Sequence, residues 1–138
     1  MKTNQKSRQG FSLVELVVVV LVMGIIAAVA GHKMFDTAGD ARTNGTKQSL
    51  LVVRDAIQLH LAQNGAYPGD AGTQADLLAD LGPFLRGAVP KVEVGSNKNA
   101  NVRVQTAGTA LAASGSEGWA YDNSTGEFVV NDATYLVW

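Results

Sequence analysis

Apolar and polar positions divide this chain into three regimes. Polar and basic residues dominate the first nine positions. From Phe11 to Gly31 the chain is apolar for 21 residues, interrupted among polar types only by Ser12 and Glu15. At ~1.5 Å rise per residue this length makes a helix of ~31 Å, and the hydrocarbon core of a bilayer is ~30 Å thick. One membrane-spanning helix is predicted over 11–31. Beyond it Leu50, Val53, Ile57 and Leu61 recur at helical spacing, with Lys47, Arg54 and Asp55 off the stripe. The helix is therefore predicted to continue as an amphipathic segment over 32–63. The stretch from Asp36 to Gly45 is weak helix by propensity and predicts a kink or frayed turn. Asn64-Gly65-Ala66-Tyr67-Pro68-Gly69-Asp70 is a strong stop signal.

Residues 64–91 read as a variable loop. It holds one short helix, Gln74 to Leu81, with Leu77, Leu78 and Leu81 apolar and Gly82-Pro83 ending it. From residue 92 the period changes to two. Val92, Val94, Val102 and Val104 alternate with Glu93, Arg103 and Gln105, and the asparagine-rich stretch 97–101 between them has turn chemistry. Trp119-Ala120-Tyr121 and Glu127-Phe128-Val129-Val130 flank a hairpin turn at 122–126. Residues 133–138 supply a last strand. Trp119, Tyr121, Phe128, Val130 and Tyr135 are the candidate sheet core. The predicted class is α+β: a long N-terminal helix, membrane-spanning in its first half, packed on a small antiparallel sheet over 92–138.

Charge sharpens the first regime. The formal net charge is −1, but Lys2, Lys6 and Arg8 form a head without an acid. Without those three bases, eight basic residues face twelve acidic ones, a balance of −4. That is no electrostatic footprint for nucleic acid. The head should stay cytoplasmic by the positive-inside rule, which places everything after Gly31 across the membrane. There is no Cys, so neither disulfides nor thiolate chemistry contribute.

Glu15 is the anomaly. A lone carboxylate in hydrocarbon costs several kcal/mol unless it finds a partner, and such a charge is a functional hypothesis by default. Two plainer readings compete. Ala28-Val29-Ala30 has the A-x-A form of a secretory cleavage site, which would release a protein beginning at Gly31. Glu15 and the length of the run disfavour it, because ordinary signal cores span only ~7–15 residues. An uncut signal anchor is the other, and it leaves Gly10-Phe11 and Glu15 without a role.

Gly10-Phe11-Ser12-Leu13-Val14-Glu15, behind a basic head and ahead of an apolar run, resembles the class III signal of type IV pilins and pseudopilins. The resemblance implies a leader, 1–10, cut by a membrane prepilin peptidase between Gly10 and Phe11. It implies N-methylation of Phe11 and an assembly role for Glu15, the fifth residue after the cut. In filaments of this family that Glu is thought to meet the N-terminus of a neighbouring subunit. The residues supply a physical reason. The new α-amine at Phe11 is cationic and lies one helical turn from Glu15, and a first-turn Glu suits the positive end of the helix dipole.

The remaining chain, 32–138, is then a periplasmic pilin-like domain. Tyr67-Pro68 after the helix and the passage Gly118 to Phe128 resemble pseudopilins of the G type. The absence of a C-terminal Cys pair favours a pseudopilin over an adhesive pilin. His32 stands where many members have Pro. The implied function is a structural subunit of a type II secretion pseudopilus, a helical homopolymer and not an enzyme. Its implied partners are the prepilin peptidase, the inner-membrane assembly platform, minor pseudopilins and the membrane. The implied location is the bacterial inner membrane, then a periplasmic filament. The alternatives are a type IV pilus subunit or a secreted or anchored binding domain.

No cofactor is expected, calcium being the one ion the resemblance leaves open. G-type pseudopilins often bind it in a C-terminal loop, yet the nearby acids, Asp122, Glu127 and Asp132, lack the spacing of an EF-hand. His32 and His60 have no accompanying acid or Cys cluster at ligand spacing. Ser12 is in no Gly-x-Ser-x-Gly elbow, and the glycines form no phosphate loop.

Overall fold

The computed structural model describes residues 10–138, so the basic head lies outside the described residues. Helix α1 runs Leu13–Asn64, α2 runs Gln74–Leu81, and three short strands follow: β1 Val102–Gln105, β2 Trp119–Asp122 and β3 Glu127–Val130. The chain divides into two units between Gly39 and Asp40. The α+β expectation holds.

In the first unit the apolar stretch Leu13–Gly31 is helical and wholly unburied. A helix that is hydrophobic on all sides has no polar face to give to water, and is stable only within lipid or other helices.

The weak segment between Asp36 and Gly45 stays helical, where a kink or frayed turn was predicted. Hydroxyl groups bond back to carbonyls one turn earlier on either side of it: Thr37 Oγ1 donates to Lys33 O at 2.8 Å, Thr46 Oγ1 to Arg42 O at 2.9 Å, Ser49 Oγ to Gly45 O at 2.9 Å. These bonds occupy hydroxyls that would otherwise compete with the helix for its own backbone.

In the second unit the α1 stripe is buried at Leu50, Val53 and Ile57 as its spacing predicts, while Leu61, its last member, is half-buried. Leu50, Val53, Ala56 and Ile57 join Leu77 and Leu81 of α2 and Trp119, Tyr121, Phe128 and Val130 of the strands in one core. The Trp119 and Phe128 rings stack with centroids 5.1 Å apart. α1 ends where the sequence says it should: Gly65 at φ +77° sends its N–H back to Leu61 O at 2.8 Å, closing the last turn in the left-handed manner glycine allows.

The chain after α1 is tied to the hairpin. Tyr121 Oη donates to Pro68 O at 3.0 Å, and Asn123 Nδ2 donates to Gly69 O at 2.7 Å. The Tyr67 ring lies against Gly126, where a β-carbon would collide with it. Thr73 caps α2 by accepting from Asp76 N, and Asp76 accepts from Ala71 N at 2.9 Å.

The sheet departs from expectation. Its order is β1-β2-β3, with β2 and β3 antiparallel but β1 and β2 parallel, Val102 opposite Trp119. Val92 and Val94 are buried in the core without forming a strand, so the predicted hairpin across Asn97–Asn101 does not exist. Residues 133–138 form turns, not a last strand. Period-two alternation reports which side chains face inward, and it carries no information on strand direction. Parallel neighbours need a crossover of a dozen or more residues, usually helical. Here residues 106–118 make that crossover as irregular backbone, held by side chains.

Candidate functional site

Gly10, Phe11 and Ser12 are non-helical, and α1 starts at Leu13. The first turn closes through Leu16 N donating to Ser12 O at 3.2 Å. Glu15 is the acidic residue of that turn, where the unpaired N–H groups of a helix favour negative charge. Phe11 is 83% exposed and Leu13 79%, and Glu15 is exposed too. The Gly10-Phe11 peptide bond therefore lies in accessible non-helical chain just ahead of the helix. Glu15 lies four residues on; that spacing would stack the two positions on one helical face if the helix extended back to Phe11, but here Phe11 precedes the helix. The basic leader that would complete the signal lies outside the described residues.

The two histidines that the sequence offered are remote from this stretch in sequence. His60 is buried, its Nδ1 3.1 Å from Ala66 O and its Nε2 4.0 Å from Asp80 Oδ2. Asp80 itself accepts from Gly69 N at 2.8 Å. His60 thus joins the end of α1 to α2. Among the described residues no group of three or more His, Cys, Asp or Glu converges as a metal site would.

Two of the three acids named near the C-terminus, Asp122 and Asp132, are already engaged. Asp122 is fully buried. Its Oδ1 accepts from Ser124 N and Ser124 Oγ, and its Oδ2 from Gln105 Nε2 and Gly108 N, both at 3.0 Å. Burial opposes ionisation, but these four donors outweigh it and hold the carboxyl below the usual range. Asp132 accepts from Ser96 N and Thr134 N, each at 3.0 Å, and these bonds lower its pKa too. Calcium takes six to eight oxygen ligands. Four donors on Asp122 leave that carboxylate no free lone pair to offer the ion. The sequence named both acids but not their partners: Ser124 and Thr134 lie two residues on, while Gln105, Gly108 and Ser96 are brought in only by the fold.

The Gly10–Glu15 geometry, the unburied apolar helix and the α+β architecture together describe a pilin-like chain. Comparison with known proteins agrees: the prokaryotic N-terminal methylation motif matches residues 5–31. The chain is also similar to the type II secretion system core protein G of Pseudomonas aeruginosa, 28% identical over 64 residues. That alignment covers 46% of this chain and 45% of the relative, so the similarity spans less than half of either. No solved structure matches significantly.

Proposed function

We propose that this chain is a structural subunit of a type II secretion pseudopilus. It is inserted once into the inner membrane with its N-terminus cytoplasmic, cut between Gly10 and Phe11, and methylated at Phe11. It then leaves the bilayer for a helical filament in the periplasm. The observation that carries this reading is the 19-residue helix Leu13–Gly31, unburied throughout, with a single carboxylate in its first turn. In the filament, helix-to-helix contacts replace lipid contacts at little net cost, since lipid tails are as apolar as the side chains. A carboxylate that must find the amine of a neighbour then fixes register, because any other register leaves it buried and unpaired. The chain's part is assembly; it is the substrate of a peptidase and a methylase, not an enzyme itself.

The similarity to a type II secretion core protein favours a pseudopilus over a type IV pilus. The self-assembling homopolymer, the assembly platform and the minor subunits are the partners this reading requires. N-terminal sequencing with intact-mass measurement of the mature protein tests it. N-methyl-Phe11 is expected. A chain beginning at Gly31, or one that retains Met1, contradicts the reading.

A further inference from the structure

The crossover between the parallel strands is closed from inside by side-chain donors. Four consecutive carbonyls, those of Ser114, Gly115, Ser116 and Glu117, all receive asparagine amides. Asn131 Nδ2 donates to Ser114 O at 2.6 Å and to Glu117 O at 2.9 Å. Asn97 Nδ2 donates to Gly115 O at 3.1 Å and to Glu117 O at 3.2 Å, and Asn99 Nδ2 to Ser116 O at 2.8 Å. Two more carbonyls of the same crossover are held alike: Arg103 Nη2 donates to Ala112 O at 2.6 Å and Gln105 Nε2 to Thr109 O at 2.7 Å.

The amide orientations are not arbitrary. Asn131 Oδ1 accepts from Ser114 N at 3.0 Å, while Asn99 Oδ1 accepts from Gly118 N at 2.8 Å and Asn101 N at 3.0 Å. For Asn99 and Asn131, only the orientation that turns the NH2 toward the carbonyls satisfies these backbone donors. Gly118 fits because a β-carbon there would strike Asn99 O.

Backbone carbonyls are among the oxygen ligands that calcium takes, and four successive ones in this loop are held by amide donors. Asp122 accepts from two backbone N–H groups and from the Gln105 and Ser124 side chains, and Asp132 from two backbone N–H groups. We infer that three asparagines, Asn97, Asn99 and Asn131, take the place of a divalent cation in this loop, so that the domain folds and holds its shape independently of calcium. The inference concerns the domain's own stability, and it stands or falls apart from the filament reading.

Thermal unfolding of the full chain in detergent, with excess EDTA and with calcium, provides the test. An ion bound at a hundred times its dissociation constant would raise the midpoint by roughly 10 °C or more in a domain this size. For the unaltered chain the two midpoints should coincide. In the double variant N97D/N131D, carboxylates face the carbonyls, and only a cation relieves the repulsion. Its midpoint should fall in EDTA and recover with calcium. Should that variant not fold in either condition, N97D alone carries the same test with one carboxylate. A midpoint for the unaltered chain that drops by several degrees in EDTA overturns the inference. So does N97D behaving identically with and without calcium.

Discussion

The two halves of α1 are helices of the same handedness and hydrogen bonding but of opposite design. In Leu13–Gly31 every face is apolar and none is buried. In the second half a single stripe is apolar, and it is buried: Val53 and Ile57 are 0% exposed. Lys47 and Asp55 outside the stripe stay in water. The second half has its partner in its own chain. Among the described residues the first half has none; in the proposed assembly its partner is lipid first and then another copy. The helix therefore carries two assembly instructions, one intramolecular and one intermolecular, and a mutation should affect only the one it touches.

The largest effect should come from the buried stripe. Ile57→Ala should cost roughly 2–5 kcal/mol in denaturant unfolding of the full chain, the range for removing a packed aliphatic side chain. Leu21→Ala, on the unburied half, should change the same measurement by less than about 0.5 kcal/mol. Equal losses would erase the distinction between the halves.

A middling effect is expected at Asp122. Its pKa is lower in the folded state than in the unfolded chain. Its contribution is therefore present above the unfolded value and is lost as pH falls below about 4 toward the folded one. Asp122→Asn should cost about 1–3 kcal/mol by facing an NH2 group toward N–H donors. It should also flatten the acid limb of the midpoint-versus-pH curve.

Tyr121 sets the opposite limb. Burial above all, with Tyr67, Asp122 and Asp80 nearby, pushes its phenol well above the ordinary value. Its stabilisation is complete below the unfolded value near pH 10 and is lost as pH rises through the folded one. Tyr121→Phe, which loses the bond to Pro68 O, should cost about 1 kcal/mol and shift the alkaline limb upward. A smaller loss in the folded domain belongs to Lys47, whose Nζ lies 4.6 Å from the Trp138 ring centroid. Lys47→Ala should cost about 0.5–1 kcal/mol.

Much of this was readable beforehand, for identifiable reasons. Helical periodicity placed Leu50, Val53 and Ile57 in the core, and Gly65 marked the end of α1 because only its conformation closes that turn cheaply. The hairpin 119–130 and α2 followed from turn and cap residues. Strand direction did not, since Val102 and Val104 alternate alike in parallel and antiparallel pairs. The roles of Asn97, Asn99 and Asn131 were hidden for another reason. Asparagines in 97–101 look like turn formers, and only the fold brings Ser114 to Glu117 within their reach. For Gly10, Phe11 and Glu15 the signal was fully local, a spacing of one helical turn at the head of an apolar run.

The central claim is that Glu15 serves assembly and not folding. It is tested most directly by expressing Glu15→Ala beside the unaltered chain and comparing three readouts: the N-terminal mass, the unfolding midpoint and the amount of sedimentable filament seen by electron microscopy. The account predicts a chain still cut before Phe11, with an unchanged midpoint and filaments reduced to a small fraction. Filaments formed in normal amount by that variant would contradict it.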